Sequence, residues 1–275
     1  MNRLFFLILL IPLFSCQEEV FLPLGEAAPI PVIEAIWTNV PGANYVKISQ
    51  SKDFYEVGRN EVISDAEVFI RNVRTGTRFN FRYSSQVDRY QPIANFWGRV
   101  GETYELNVRI GTKIYQSTGR LLEPPKLDSI TYKFQESRIF REEGYYLTLY
   151  GDIPFDRDNN YRIRIVRNDT LLNGRNDYLL FDDTFGTSIL NRGFELTGFP
   201  FKLGDEVRLE LFRLNQSAYD YLSQLVNLLF NDGGLFSPPP QNPQTNIVEI
   251  TENGDVLGYF MVSPLLYETV RIISP

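Results

Sequence analysis

Apolar and polar residues alternate along most of this chain with a period of two, the spacing at which a strand turns one face to a core and the other to water. The clearest run is 103–110, where Tyr104, Leu106, Val108 and Ile110 alternate with Thr103, Glu105, Asn107 and Arg109. Gly111-Thr112 then allows a tight turn and 113–117 returns, so the pattern predicts a hairpin. Further strands are expected over 43–49, 67–73, 78–83, 145–150, 161–166 and 206–212, a short apolar one over 257–262 and a last one over 269–273. One stretch changes period. Leu222, Leu225, Val226 and Leu229 form a single stripe, which predicts an amphipathic helix near 217–230. Ser217 is placed to cap it, Asp220 to lie in its first turn, and Asn231-Asp232-Gly233-Gly234 to stop it.

Proline and glycine divide this pattern. Pro23, Gly25, Pro29 and Pro31 make 20–31 a poor candidate for regular structure and a good spacer, so folding is expected to begin near Val32. Leu122-Glu123-Pro124-Pro125 stiffens the chain and removes two ladder donors, which marks a boundary between a β-domain over 32–122 and a second β-rich domain over 123–275 that carries the helix. The run Ser237-Pro238-Pro239-Pro240-Gln241-Asn242-Pro243 reads as an extended loop, either a rigid connector or a docking segment. Fold class is accordingly mainly β, in two domains.

The first residues do not belong to this body. Met1-Asn2-Arg3 followed by an apolar run to Phe14 has the layout of a signal peptide over 1–15. The run is shorter than the about 20 apolar residues that span a bilayer. Leu13-Phe14-Ser15-Cys16 resembles the lipobox of bacterial lipoproteins, with Cys16 as the acylated residue at the head of a tether over 16–31. Such proteins carry more than one acyl chain, which is enough for stable anchoring. Cys16 is also the only cysteine, so no disulfide forms within the chain. Gln17-Glu18-Glu19 resembles the acidic signal that sends Bacteroidota lipoproteins to the outer face of the outer membrane.

Composition narrows the chemistry. A net charge of −7 disfavours a nucleic-acid partner. The chain has no histidine, which removes the Ser/His/Asp and Cys/His nucleophilic arrangements, histidine zinc sites and histidine proton shuttles together. Carboxylate pairs remain for glycoside hydrolysis, and Asp152, Asp156, Asp158, Asp182 and Asp183 are the candidates, each among turn formers. Asp156-Arg157-Asp158-Asn159-Asn160 begins like a calcium loop, but Tyr161 stands where the turn needs glycine and Arg167 where the bidentate glutamate belongs, so a plain acidic turn is expected. Gly58, Gly76, Gly98 and Gly101 lack the spacing of a phosphate cradle. Arg138, Arg141, Arg162, Arg164 and Arg167 read as a solvated strand face. No catalytic residue, metal ligand or cofactor is expected.

Several short motifs coincide with these features: Ile33-Glu34-Ala35 with Thr38-Asn39, Val100 through Leu106, Pro124-Pro125 with Asp128-Ser129-Ile130, Tyr219-Asp220-Tyr221-Leu222, and Pro238-Pro239 through Asn246-Ile247 to Leu257-Gly258-Tyr259-Phe260. Together they resemble the Bacteroidota lipoproteins that carry domain of unknown function 4249, with an acidic insertion at Glu249 to Glu252 as a departure. The resemblance implies an outer-membrane lipoprotein with an N-terminal immunoglobulin-like β-sandwich and a second β-rich domain. It also implies an accessory or substrate-capturing role beside a TonB-dependent transporter barrel. Phe236, Pro238, Pro239, Tyr259 and Phe260 are the expected contact surface, since aromatics concentrate at interface hot spots. A structural or adhesive surface protein and a carboxylate-dependent glycan hydrolase are the competing readings. The sequence does not indicate which ligand is bound.

Overall fold

The computed structural model describes residues 28–52, 56, 58–231 and 241–274. Its strands, in chain order, are β1 (Pro31–Trp37), β2 (Tyr45–Gln50), β3 (Glu67–Asn72), β4 (Arg78–Ser84), β5 (Arg89–Pro92), β6 (Thr103–Ile110), β7 (Lys113–Arg120), β8 (Lys126–Gln135), β9 (Gly144–Asp152), β10 (Asn160–Arg167), β11 (Thr170–Leu171), β12 (Leu179–Phe181), β13 (Phe194–Glu195), β14 (Glu206–Leu214), β15 (Val248–Glu249), β16 (Leu257–Val262) and β17 (Leu265–Arg271). Helix α1 (Gln216–Leu229) lies between β14 and β15. The fold is mainly β, as the alternation implies. No helix among the described residues is long and apolar enough to cross a membrane.

Alternation builds two cores. In the first, nine strands in the order β15-β7-β6-β3-β4-β5-β2-β1-β16 form one sheet that curls, sandwich-like, around Ile33, Trp37, Ile48, Ile70, Leu106, Tyr115 and Phe260. Trp37 sits among rings, 5.1 Å from Phe79 and 5.5 Å from Tyr104 between centroids. In the second, the sheet β11-β10-β14-β17 faces the sheet β13-β9-β8. Leu147 and Leu149 of β9 there meet Tyr161, Ile163 and Ile165 of β10 and Leu209 and Leu211 of β14.

The sheets do not partition at residue 122 into two consecutive halves. The chain leaves the first sheet after β7, builds the second body, and returns to add β15 and β16 to the first sheet. Strand β16 lies parallel to β1, with Ile33 opposite Gly258 and Trp37 opposite Val262. A parallel pair needs a long crossover, and here it runs through β2–β7 of the same sheet and then through most of the second body. Glycine is required at 258: its φ is +101°, and a Cβ there would meet the Ile33 carbonyl oxygen.

A side chain closes the seam of the curl. Asn246 Nδ2 donates to the Phe260 carbonyl at 2.9 Å, and its Oδ1 accepts from the Phe260 amide at 2.8 Å, so the amide group pairs with β16 as a strand would. Its own carbonyl accepts from Ser117 Oγ on β7 at 2.6 Å. The neighbouring acidic stretch is organised rather than loose. Glu249 takes the amides of Thr251, Glu252 and Gly254 at 2.6, 3.0 and 2.7 Å. These N–H groups, Gly254 first, hold its carboxyl down at about 2, against the ordinary 4.5.

Helix α1 is capped by Asn215, whose Oδ1 accepts from the Ala218 amide at 3.2 Å, and not by Ser217. The cap displaces Asp220 from the first turn, where it accepts from Gln216 Nε2 at 2.7 Å. Ala218, Tyr221 and Leu222 form the buried face of the helix, against Ile36 of β1, Phe212 and Leu214 of β14, and Met261 of β16, whereas of the expected stripe Leu225 and Val226 are half-buried and Leu229 is exposed.

Two outcomes test these contacts. Gly258→Ala is expected to lower stability by roughly 2–4 kcal/mol in denaturant titration, because a clash with backbone adds to an unfavourable φ. Glu249→Gln is expected to lower the melting temperature at pH 7. The glutamate's folded pKa is depressed, so its contribution is full above pH 4.5 and is lost as pH falls through about 2. The melting difference between the two proteins should therefore vanish near pH 2, and a difference unchanged down that range would contradict the assignment.

Candidate functional site

Both faces of the central strands are occupied. Where Ile33, Ala35 and Trp37 point into the first core, Glu34 and Ile36 point out, and they meet the outward face of the second body. On that body Tyr161, Ile163 and Ile165 are inward and Arg162 and Arg164 outward. The interface so formed has an apolar end, made by Ile36, Phe212, Met261 and α1, and a polar end that opens into a cleft of about 660 Å³. A contiguous groove of about 530 Å³ shares Tyr45, Arg89, Arg164 and Leu171 with it. Small-molecule sites commonly span roughly 300–1,000 Å³.

The cleft is cationic in an acidic protein. Arg162 and Arg164 come from β10, Arg89 from β5, Lys47 from β2, and Arg59 from the segment before β3. These β10 arginines are therefore not a solvated face, because a second sheet packs over them. Arg164 donates its Nε to Glu210, directly opposite on β14, at 2.9 Å, and Arg208 Nε reaches the other oxygen of Glu210 at 3.2 Å. Burial opposes the Arg164 charge, but Glu210 overrides it and raises the guanidinium pKa. Lys47 pairs with Glu34 at 3.5 Å.

Arg89 and Arg162 differ from these. Arg162 is 7 % exposed, and its Nε, like that of Arg89, is buried without an acceptor. Neither has a carboxylate partner among the described residues. Each guanidinium instead lies over a ring, Arg162 over Tyr178 at 5.2 Å and Arg89 over Tyr45 at 4.6 Å. Tyr259 also lines the cleft, and burial pushes its phenol above the ordinary 10.0, so it stays a neutral hydroxyl.

The carboxylates considered for hydrolysis have local roles. Asp152 accepts from Asn191 at 3.2 Å, and Asp183 from Asn159 at 3.3 Å. Asp182 accepts from the Thr184 amide at 2.9 Å and from the Tyr219 hydroxyl at 3.1 Å. Asp156 and Asp158 lie beside Arg213, which donates to the carbonyls of Arg157, Asp158 and Glu123 at 2.8, 3.0 and 3.0 Å and rests 3.5 Å over Phe155. That arginine pins both the acidic turn and the linker leaving the first sheet.

Of the expected contact surface, Tyr259 and Phe260 are 5 % and 0 % exposed, because β16 is an interior strand of the fold rather than a free segment. Phe236, Pro238 and Pro239, the signal peptide, Cys16 and Gln17, Glu18 and Glu19 lie outside the described residues. The most exposed apolar side chains among the described residues are elsewhere. Ile139 and Phe140, 91 % and 100 % exposed, form the tip between β8 and β9, closed by paired amides and carbonyls of Arg138 and Arg141. Sequence reasoning missed this tip, although Ile-Phe inside a charged stretch was its signal.

Fold and cleft together define a mainly β protein of two sheet bodies joined by a returning strand, with a basic, tyrosine-walled cleft between them. The chain belongs to the family of domain of unknown function DUF4249, which it matches over residues 17–265. No curated protein matches it.

Glu210 is the counter-charge for two guanidinium groups, so Glu210→Ala is expected to cost roughly 3–5 kcal/mol of unfolding free energy. Guanidinium titration of the variant measures it, and a loss under 1 kcal/mol would show the cluster to be wet and weakly coupled.

Proposed function

We propose that this protein is a lipid-anchored outer-membrane subunit of the Bacteroidota type, non-catalytic and accessory to a TonB-dependent nutrient-uptake transporter, with the inter-sheet cleft as its ligand site. The observation that carries the reading is the cleft itself: a cavity of ligand size whose walls combine tyrosines with cations. The signal-like residues 1–15, the single Cys16 and the acidic Gln17-Glu18-Glu19 support anchoring at an outer surface, where a capturing protein meets its ligand. The lack of histidine and the local engagement of Asp152, Asp182 and Asp183 support binding over turnover.

A second reading, a structural or adhesive surface protein, is favoured by the exposed Ile139-Phe140 tip, which suits contact with another macromolecule.

In cells given labelled palmitate, the wild-type chain should incorporate label and fractionate with outer membranes, and Cys16→Ser should do neither. Equal labelling of both would remove the anchor. Affinity purification from detergent-solubilised membranes should recover a transporter barrel. Recovery of matrix or fibre components, lost on Ile139→Ser with Phe140→Ser, would favour the second reading.

A further inference from the structure

Within the cleft the cations are not equivalent. Arg164 has Glu210 and Lys47 has Glu34. Among the described residues, Arg162, nine-tenths buried, meets only the face of Tyr178. A lysine in such a place could shed its proton, but a guanidinium cannot, so its charge persists and calls for an acceptor. An unmet donor on a charged buried group is among the more costly features a fold can carry, and it is tolerated where a ligand supplies the acceptor.

We propose that the cleft binds a small organic carboxylate, held by Arg162 of the second body and Arg89 of the first. This rests on the reading of the cleft as a ligand site and names its ligand class. Four features favour a carboxylate on an organic frame. The guanidinium fork matches two oxygens in one plane. The cleft, at about 660 Å³, exceeds what one inorganic oxyanion fills. Tyr178, Leu222 and Leu225 offer ring and aliphatic surface beside the charge. Lys47, Arg59, Arg89, Arg162 and Arg164 against Glu34 and Asp88 leave the cleft net positive in a chain of net charge −7, so an anion is favoured there and not over the rest of the surface. Because the two arginines come from different bodies and line one cleft, a single ligand there can contact both.

The test uses the full-length chain in detergent, with isothermal titration and thermal unfolding against citrate, glutarate and digalacturonate. Sulfate, phosphate and maltose serve as inorganic and neutral comparisons. At least one carboxylate should bind saturably and raise the melting temperature. Arg162→Gln should weaken that binding roughly thirtyfold or more, and Arg89→Gln should weaken it less. Arg162→Lys, which keeps the charge and loses the fork, should also weaken it. Without ligand, Arg162→Gln should melt no lower than wild type, since it removes an uncompensated buried charge, whereas a purely structural arginine would melt lower when replaced. Sulfate or phosphate binding as tightly as the carboxylates overturns the carboxylate assignment and leaves the cleft as a ligand site. So does maltose binding that ignores Arg162→Gln. Binding of none of the six probes overturns the assignment and the cleft reading together, while the palmitate and affinity experiments still decide the anchored role.

Discussion

The parallel pairing of β16 with β1 is the constraint on which the rest of the structure depends. It requires a backbone approach that only Gly258 permits, and it makes β16, a late segment of the chain, a component of the first sheet. From that one pairing follow the buried positions of Tyr259 and Phe260 and the seam that Asn246 closes. Were β16 absent, β1 would present an open edge and Ile36 would face water.

The same pairing explains why charge collects where it does. Strands β1, β2 and β16 bury their inward residues in the first core, and their outward residues meet β10 and β14. Apolar outward residues pack around α1. Where the outward residues are long and charged, packing cannot close, and the sheets part into a cleft where Glu210 pairs with Arg164 while Arg89 and Arg162 keep an unpartnered Nε.

Much of this was legible in the sequence because alternation is strong where one face is wet. Strands β6 and β16 fall on the expected 103–110 and 257–262, and helix α1 differs from its expectation by a residue at each end. Strand β8 was not legible: Lys126–Gln135 mixes Lys, Asp, Ser and Thr with few apolar residues, because much of it is exposed at the outside of a three-stranded sheet. Short β11, β12, β13 and β15 offer too few residues for any period to register. The cleft was hidden for a different reason. Outward arginines on β10 look the same in sequence whether water or a second sheet covers them. The one hint lay on its neighbour β14, where Phe212 and Leu214 are apolar on the face opposite to Val207, Leu209 and Leu211, as a strand buried on both sides requires.

The returning strand also fixes when this protein can become itself. Its first sheet begins at Pro31 and is finished only by residues near 262, so β1 must wait, incomplete, for a strand more than two hundred residues later in synthesis. Contacts so far apart in sequence make folding slow, because the long loop between them must close before their pairing can stabilise it. The architecture that joins the two bodies thus also sets the order in which they can mature.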